Sequence, residues 1–175
     1  NGGGIRANIP AGEITYNSLI SVFPVNNTAC KAEITGAQLL DALEVSVMEL
    51  PLTSGSFMQV SGIRFKVDDS IASPVIMESD GVFSHIENAP RRVSNLQVFD
   101  KTSGEYYPVD IDRVYTLGGI SYNITDMGCN GIFRYTTLLQ DNMGQDVEIL
   151  SAYLNHLGGT VGEEYSKTEG RILKH

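Results

Sequence analysis

Apolar positions fall at helical spacing in two early stretches and one late one, and at strand spacing between them. Ile14-Thr15-Tyr16-Asn17-Ser18-Leu19 and Ile34-Thr35-Gly36-Ala37-Gln38-Leu39 share one arrangement, a threonine with an apolar residue just before it and another four after. A threonine hydroxyl in that place accepts a backbone N–H with no helical partner, and the apolar pair staples the chain across the cap. Gln38 completes a capping box in the second stretch. Helices are therefore predicted over 14–23 and 34–49. Leu39, Leu40, Leu43 and Val47 line one face of the second, and Pro51 ends it. A third helix is predicted from Asp146 as N-cap, with Val147, Leu150, Leu154 and Leu157 as its stripe and Gly158-Gly159 closing it. His156 falls in its last turn, where a cation complements the helix dipole, and reads as structural or solvated.

Between 57 and 125 the texture is that of strands. Phe57-Met58-Gln59-Val60, Ile63-Arg64-Phe65-Lys66-Val67, Val93-Ser94-Asn95-Leu96-Gln97-Val98 and Val114-Tyr115-Thr116-Leu117 alternate or run apolar over strand lengths. Asp68-Asp69-Ser70 and Lys101-Thr102-Ser103-Gly104-Glu105 are turn sequences, the second joining 96–99 and 106–109 into a hairpin. The polar stretch 77–92 is predicted as a long loop carrying a solvated His85. Arg171-Ile172-Leu173 is a last short strand. This order predicts a single α/β domain of α+β character, with mixed β-sheet layers flanked by helices rather than a doubly wound parallel sheet.

Composition narrows the function classes. A chain of 175 residues with 42% hydrophobic content can bury a real core in one domain, or in at most two small lobes. No apolar run approaches the roughly 20 residues of a membrane-spanning helix, and no basic segment followed by an apolar one opens the chain. A net charge of −9 disfavours a DNA or RNA polymer as partner, since backbone binding needs a basic stripe. It leaves room for a single nucleotide, which needs only local cations. Cys30 and Cys129 lack zinc-ligand spacing; free buried thiols are the simpler reading, with a disulfide left open. Three histidines, one of them the terminal His175, and 21 scattered carboxylates assemble no nucleophile–base pair and no two-metal motif. No Gly-Lys-Ser/Thr follows the glycines to make a phosphate loop. No catalytic residue and no metal ligand is assigned.

Two glycine-bearing segments remain. Asn1-Gly2-Gly3-Gly4-Ile5-Arg6 sets three glycines between an amide and a guanidinium. Such a run suits backbone at positive φ or in close approach, with open N–H groups for a small polar or anionic ligand. It equally suits a frayed terminus. The second segment, 118–133, follows a strand, carries Tyr122 among small and polar residues, and ends in Gly128-Cys129-Asn130-Gly131. Tyr122 either offers its face to a flat ligand or packs in the core with its hydroxyl on a partner.

Taken in order, Asn1-Gly2-Gly3-Gly4-Ile5-Arg6, Phe57-Met58-Gln59-Val60-Ser61-Gly62-Ile63, and Ser121-Tyr122-Asn123-Ile124-Thr125 with Gly128-Cys129-Asn130-Gly131 resemble the C-terminal domain of 5′-nucleotidases. That family includes UDP-sugar hydrolases, 2′,3′-cyclic-nucleotide phosphodiesterases and ecto-5′-nucleotidases. Ile34-Thr35-Gly36 with Leu39, Ala42, Leu43 and Glu44 resembles its helix signature, and Glu169-Gly170-Arg171-Ile172 its end. The resemblance implies one domain over 1–175 that recognises a nucleoside or nucleotide. Hydrolysis would belong to a separate N-terminal metallophosphoesterase domain holding a divalent metal pair, so this chain alone would be inactive and would lack the upstream edge of its own domain. Its place would be extracytoplasmic. The resemblance further implies that Phe57 and Tyr122 clamp the base, that Asn1 and Gly3 of the glycine run bind the substrate, Asn1 against the base, and that Arg6 reaches ribose or phosphate. Asn130 falls where the family carries a ribose-binding Asp, and an amide there implies altered ribose recognition. A different class of reading is a structural or homodimerisation module that has lost nucleotide binding.

Overall fold

Thr15 and Thr35 cap helices as their spacing requires. In the computed structural model, which describes residues 1–174, α1 (Tyr16–Val22) and α2 (Gly36–Val47) each begin with a capping box, completed by Ser18 and Gln38. Between them runs β1 (Ala29–Thr35), whose alternating burial places Cys30, Ala32 and Ile34 inward. After α2 come β2 (Ile63–Val67), β3 (Val75–Met77), β4 (Phe83–Ile86), β5 (Val93–Asp100), β6 (Glu105–Pro108) and β7 (Val114–Ile120). The chain continues through α3 (Ser121–Ile124), β8 (Thr137–Gln140), α4 (Asp146–His156) and β9 (Ile172–Lys174).

The strands form an antiparallel sheet ordered β7-β1-β8, a mixed sheet ordered β6-β5-β2-β9, and the separate hairpin β3-β4. β9 lies parallel to β2, which makes the second sheet mixed as expected. α2 is central. Leu39 and Ala42 enter one core cluster with Ile34, Met58 and Phe133, while Leu43 and Val47 enter another with Phe65, Val67 and Val93. Every residue from 42 to 47 is buried, as expected of a helix packed on more than one side.

One carboxylate and one guanidinium inside this core fix where α2 stops. Fully buried Glu44 accepts the backbone N–H groups of Val93 at 2.9 Å and Arg92 at 3.3 Å. Arg92, 8% exposed, donates to the carbonyls of Val47, Met48 and Leu50 with one nitrogen and to Ile71 with another. The helix thus ends at Val47, two residues before the predicted Glu49, because a side chain takes its last carbonyls. Burial pushes the Glu44 carboxyl above its ordinary range, against the opposing pull of the two N–H groups and of Arg91 and Arg92.

Gly36 opens α2 where the β6–β7 connection crosses it: Gly36 N–H donates to the Arg113 carbonyl and Ala37 N–H to that of Ile111. A Cβ at Gly36 would fall on the Asp110 carbonyl. Gly36→Ala is expected to lower stability by about 1–3 kcal/mol through overpacking, read as a lower urea midpoint at unchanged slope. An unchanged midpoint would show that the 109–113 connection yields freely.

Several boundaries differ from the sequence expectation, each for a traceable reason. Residues 57–60 join no ladder, because their backbone groups are taken elsewhere. Phe57 O accepts from Gly2, Met58 N–H donates to the Ser46 hydroxyl at 2.7 Å, and Val60 O accepts from Arg171. The predicted loop 77–92 contains β4 and the end of β3, turned at Asp80-Gly81 with Gly81 at φ +82°. Gly118 and Gly119 lie inside β7, paired with Lys31 and Cys30, rather than in a loop after it. A Cβ at Gly119 would meet the Ile124 side chain at 2.9 Å, so this glycine lets α3 close onto the sheet. The N-cap of α4 is Gln145, not Asp146, since a bridge to Thr28 holds Gln145 extended and Asp146 N–H already donates to Asn27. Cys30 and Cys129 are both buried and free.

Candidate functional site

The three opening glycines are used for close approach. Gly2–Gly4 form a 3-10 turn with no residue at positive φ, laid against residues 54–57. Gly2 N–H donates to Phe57 O at 2.6 Å and Gly3 N–H to Gly55 O at 2.9 Å. A Cβ at Gly3 would lie 3.1 Å from Gly55 Cα and O, tighter than a side chain normally allows. Glycine facing glycine is what lets the two backbones touch.

Of the two polar residues that flank the glycines, this contact holds Asn1. Asn1 Nδ2 donates to Gly55 O at 2.8 Å, while its Oδ1 is buried with no hydrogen-bond partner. Arg6 is tied by its backbone to Val22 O, and its exposed guanidinium forms no ion pair or side-chain hydrogen bond among the described residues.

Tyr122 reaches the same place from α3, which begins as β7 ends. Tyr122 is 43% exposed, and its ring rests on Gly128, whose N–H donates to Tyr122 O at 2.7 Å. A Cβ at Gly128 would come within 2.6 Å of ring carbons Cδ1 and Cε1, so this glycine seats the ring. The Tyr122 side chain is therefore half open rather than packed in the core with a partner on its hydroxyl.

A cleft of about 350 Å³ joins these groups: Asn1, Gly3, Arg6 and Tyr122 all line it. Arg6 is the one charged side chain on that lining. A cavity with a half-exposed aromatic ring, a buried unpartnered acceptor and a free guanidinium suits a flat, polar, anionic ligand. Phe57 stands behind the wall, its ring packed against the core cluster of Leu43, Val47 and Phe65 and its carbonyl holding Gly2. Asn130, in a left-handed turn at φ +58°, also stands behind it: its Oδ1 accepts from the Ser56 hydroxyl and its Nδ2 donates to Gly81 O.

Sequence reasoning did not pick out Val25, Asn27 or Ser56, which line the cleft as well. For Ser56 a signal existed in the run of small residues Ser54-Gly55-Ser56, typical of a place where backbones touch. Val25 and Asn27 follow a helix in an ordinary turn and carried none. Among the described residues no group of three or more His, Cys, Asp or Glu side chains could hold a metal ion. No helix among them is long and apolar enough to cross a membrane.

Comparison with known proteins places the fold and the family. The family model of the 5′-nucleotidase C-terminal domain matches residues 1–150. The chain is 29% identical to a trifunctional nucleotide phosphoesterase protein of Bacillus subtilis over 98% of its length, which is 10% of that relative. It is likewise 29% identical to the 5′-nucleotidase of Mus musculus, over 98% of this chain and 27% of that one. The crystal structure of a 5′-nucleotidase precursor from Thermus thermophilus superposes with a TM-score of 0.79 at 29% identity, covering 99% of this chain and 30% of the other. An NAD nucleotidase of Haemophilus influenzae shares the fold alone, with a TM-score of 0.66 at 18% identity. The chain thus spans well under half the length of each of these proteins. With the family model over most of its residues and the same fold in its relatives, the chain belongs to the family of 5′-nucleotidase C-terminal domains.

Proposed function

We propose that the cleft receives the nucleoside part of a nucleotide, and that residues 1–175 serve as the substrate-recognition domain of a 5′-nucleotidase-type hydrolase. The observation that carries this reading is the meeting of Tyr122, Arg6 and Asn1 on one cleft. The Tyr122 ring stacks on the base, Asn1 accepts from a base donor, and Arg6 faces the ribose or phosphate. Phe57 backs the cleft wall through its carbonyl on Gly2, and Asn130 backs it through the Ser56 hydroxyl. Bond cleavage belongs to a dimetal domain elsewhere in the parent protein, and the extracytoplasmic setting follows from the same reading.

Calorimetric titration of the chain with adenosine and with AMP tests it. AMP is expected to bind more tightly than adenosine, and Arg6→Ala to remove most of that margin while leaving adenosine binding within about twofold. A charge-assisted contact of this kind contributes about 1.5–3 kcal/mol. Absence of heat with both ligands would sink the proposal.

A further inference from the structure

Asn130 is engaged at both ends of its amide, by partners on different parts of the fold. Nδ2 donates to the Gly81 carbonyl at 3.0 Å, at the tip of the β3–β4 hairpin. Oδ1 accepts from the Ser56 hydroxyl at 3.3 Å, on the cleft wall. Asparagine is among the few residue types that take φ +58° readily. It also presents a donor and an acceptor on one short planar group. A carboxylate has the shape but no donor, and would set oxygen against the Gly81 oxygen.

The hairpin needs such a tie. β3 and β4 pair only with each other, outside both larger sheets, and an isolated two-stranded ladder is marginal in water. Near its tip it is tied to the 130–134 segment twice: besides Asn130 on Gly81, Arg134 pairs with Glu78 at 3.8 Å, and Gly131 lies so close to Val82 that an added Cβ would come within 3.4 Å of it. That segment directly follows Gly128, which seats the Tyr122 ring. The hairpin, the turn and the cleft wall are therefore one connected support.

We propose that Asn130 is a positioning residue that latches the β3–β4 hairpin to the cleft wall, and that the cleft consequently accepts ribo- and deoxyribonucleosides alike. This rests on the nucleoside reading above. A vicinal diol is held best by two acceptor oxygens facing it, as a carboxylate supplies. Asn130 has one oxygen, already receiving the Ser56 proton, and an NH₂ already directed at Gly81. Its amide thus acts through Ser56 and the hairpin rather than on the sugar.

Two variants separate the roles. Asn130→Gly keeps the left-handed backbone and removes the amide; Asn130→Asp keeps the shape and removes the donor. Hydrogen exchange of the amides at 78–83 is expected to quicken about tenfold in both, the equivalent of one lost hydrogen bond. In titrations with adenosine and 2′-deoxyadenosine, the wild-type chain is expected to bind the two within about threefold. Asn130→Gly should weaken both by one common factor, whereas Asn130→Asp, its carboxylate released from Gly81, should favour adenosine by about tenfold. Unchanged exchange at 78–83 in Asn130→Gly would overturn the latch. A tenfold wild-type preference for adenosine that vanishes in Asn130→Gly would show that Asn130 reads the sugar directly. If the wild-type chain binds neither nucleoside while exchange at 78–83 still quickens in Asn130→Gly, the nucleoside reading fails, and the sugar tolerance with it, but the latch stands.

Discussion

Arg92→Ala is expected to destabilise the fold by about 3–5 kcal/mol, the range for removing one partner from a buried charged cluster. Arg92 holds the carbonyls of Val47, Met48, Leu50 and Ile71 at 2.7–3.1 Å. Alanine leaves these acceptors without their donor in a site too enclosed for bulk water, and each such group costs about 1–3 kcal/mol where nothing replaces the bond. The lost cation had also favoured the buried Glu44 carboxylate. Arg92→Lys should recover only part of the loss, since an ammonium does not reproduce the planar fork that spans these carbonyls. Urea denaturation followed by circular dichroism measures it, and a loss under about 1 kcal/mol would refute the assignment. The same cluster sets a pH dependence. The folded-state pKa of Glu44 is raised above the ordinary 4.5, so between the unfolded and folded values the native state holds more protons than the unfolded chain. Stability from this group is therefore highest at or below the ordinary carboxylate pKa and falls as pH rises toward the raised one. Removing the Arg92 cation should extend that fall to higher pH.

Tyr122→Ala is expected to weaken nucleoside binding by about 1–3 kcal/mol, or roughly 5–150-fold, the contribution of one base–aromatic stack. Tyr122→Phe should bind within about twofold of wild type, since the hydroxyl has no hydrogen-bond partner and the ring supplies the stacking face. Phe57→Ala is expected to behave differently. Its ring packs on Leu43, Val47 and Phe65, so truncation should cost about 2 kcal/mol of stability as well as affinity. Calorimetry with adenosine beside urea midpoints distinguishes the two variants. Tyr122→Ala at wild-type affinity would remove the aromatic from the site.

Much of the fold was legible where the determinants are local. Thr15 with Ser18 and Thr35 with Gln38 close capping boxes within four residues, so spacing alone located α1 and α2. The 101–105 turn and its flanking strands were likewise local, and β5 and β6 pair across it. The 57–60 segment was misread because its apolar content says strand while its hydrogen bonds go to Gly2, Ser46 and Arg171. These partners are remote in sequence, and no periodicity reports them. The β3–β4 hairpin was missed although Asp80-Gly81 is a hairpin turn signal, because its flanking strands, of 3 and 4 residues, are too short to show an alternation.

By itself the sequence determined where α1 and α2 start and how the 101–105 turn joins its strands, since each depends on neighbours a few positions away. It also carried the ordered motifs of the family. Only the tertiary structure decided what the three opening glycines are for. They could have marked positive φ or a frayed end, and they instead bring Asn1 and Arg6 against Gly55 and beside Tyr122. It also decided that Asn130 faces Ser56 and Gly81. The physical reason is the same in both cases: hydrogen bonds between backbones or side chains 49 or more residues apart form only once the sheets and α2 have set the distances.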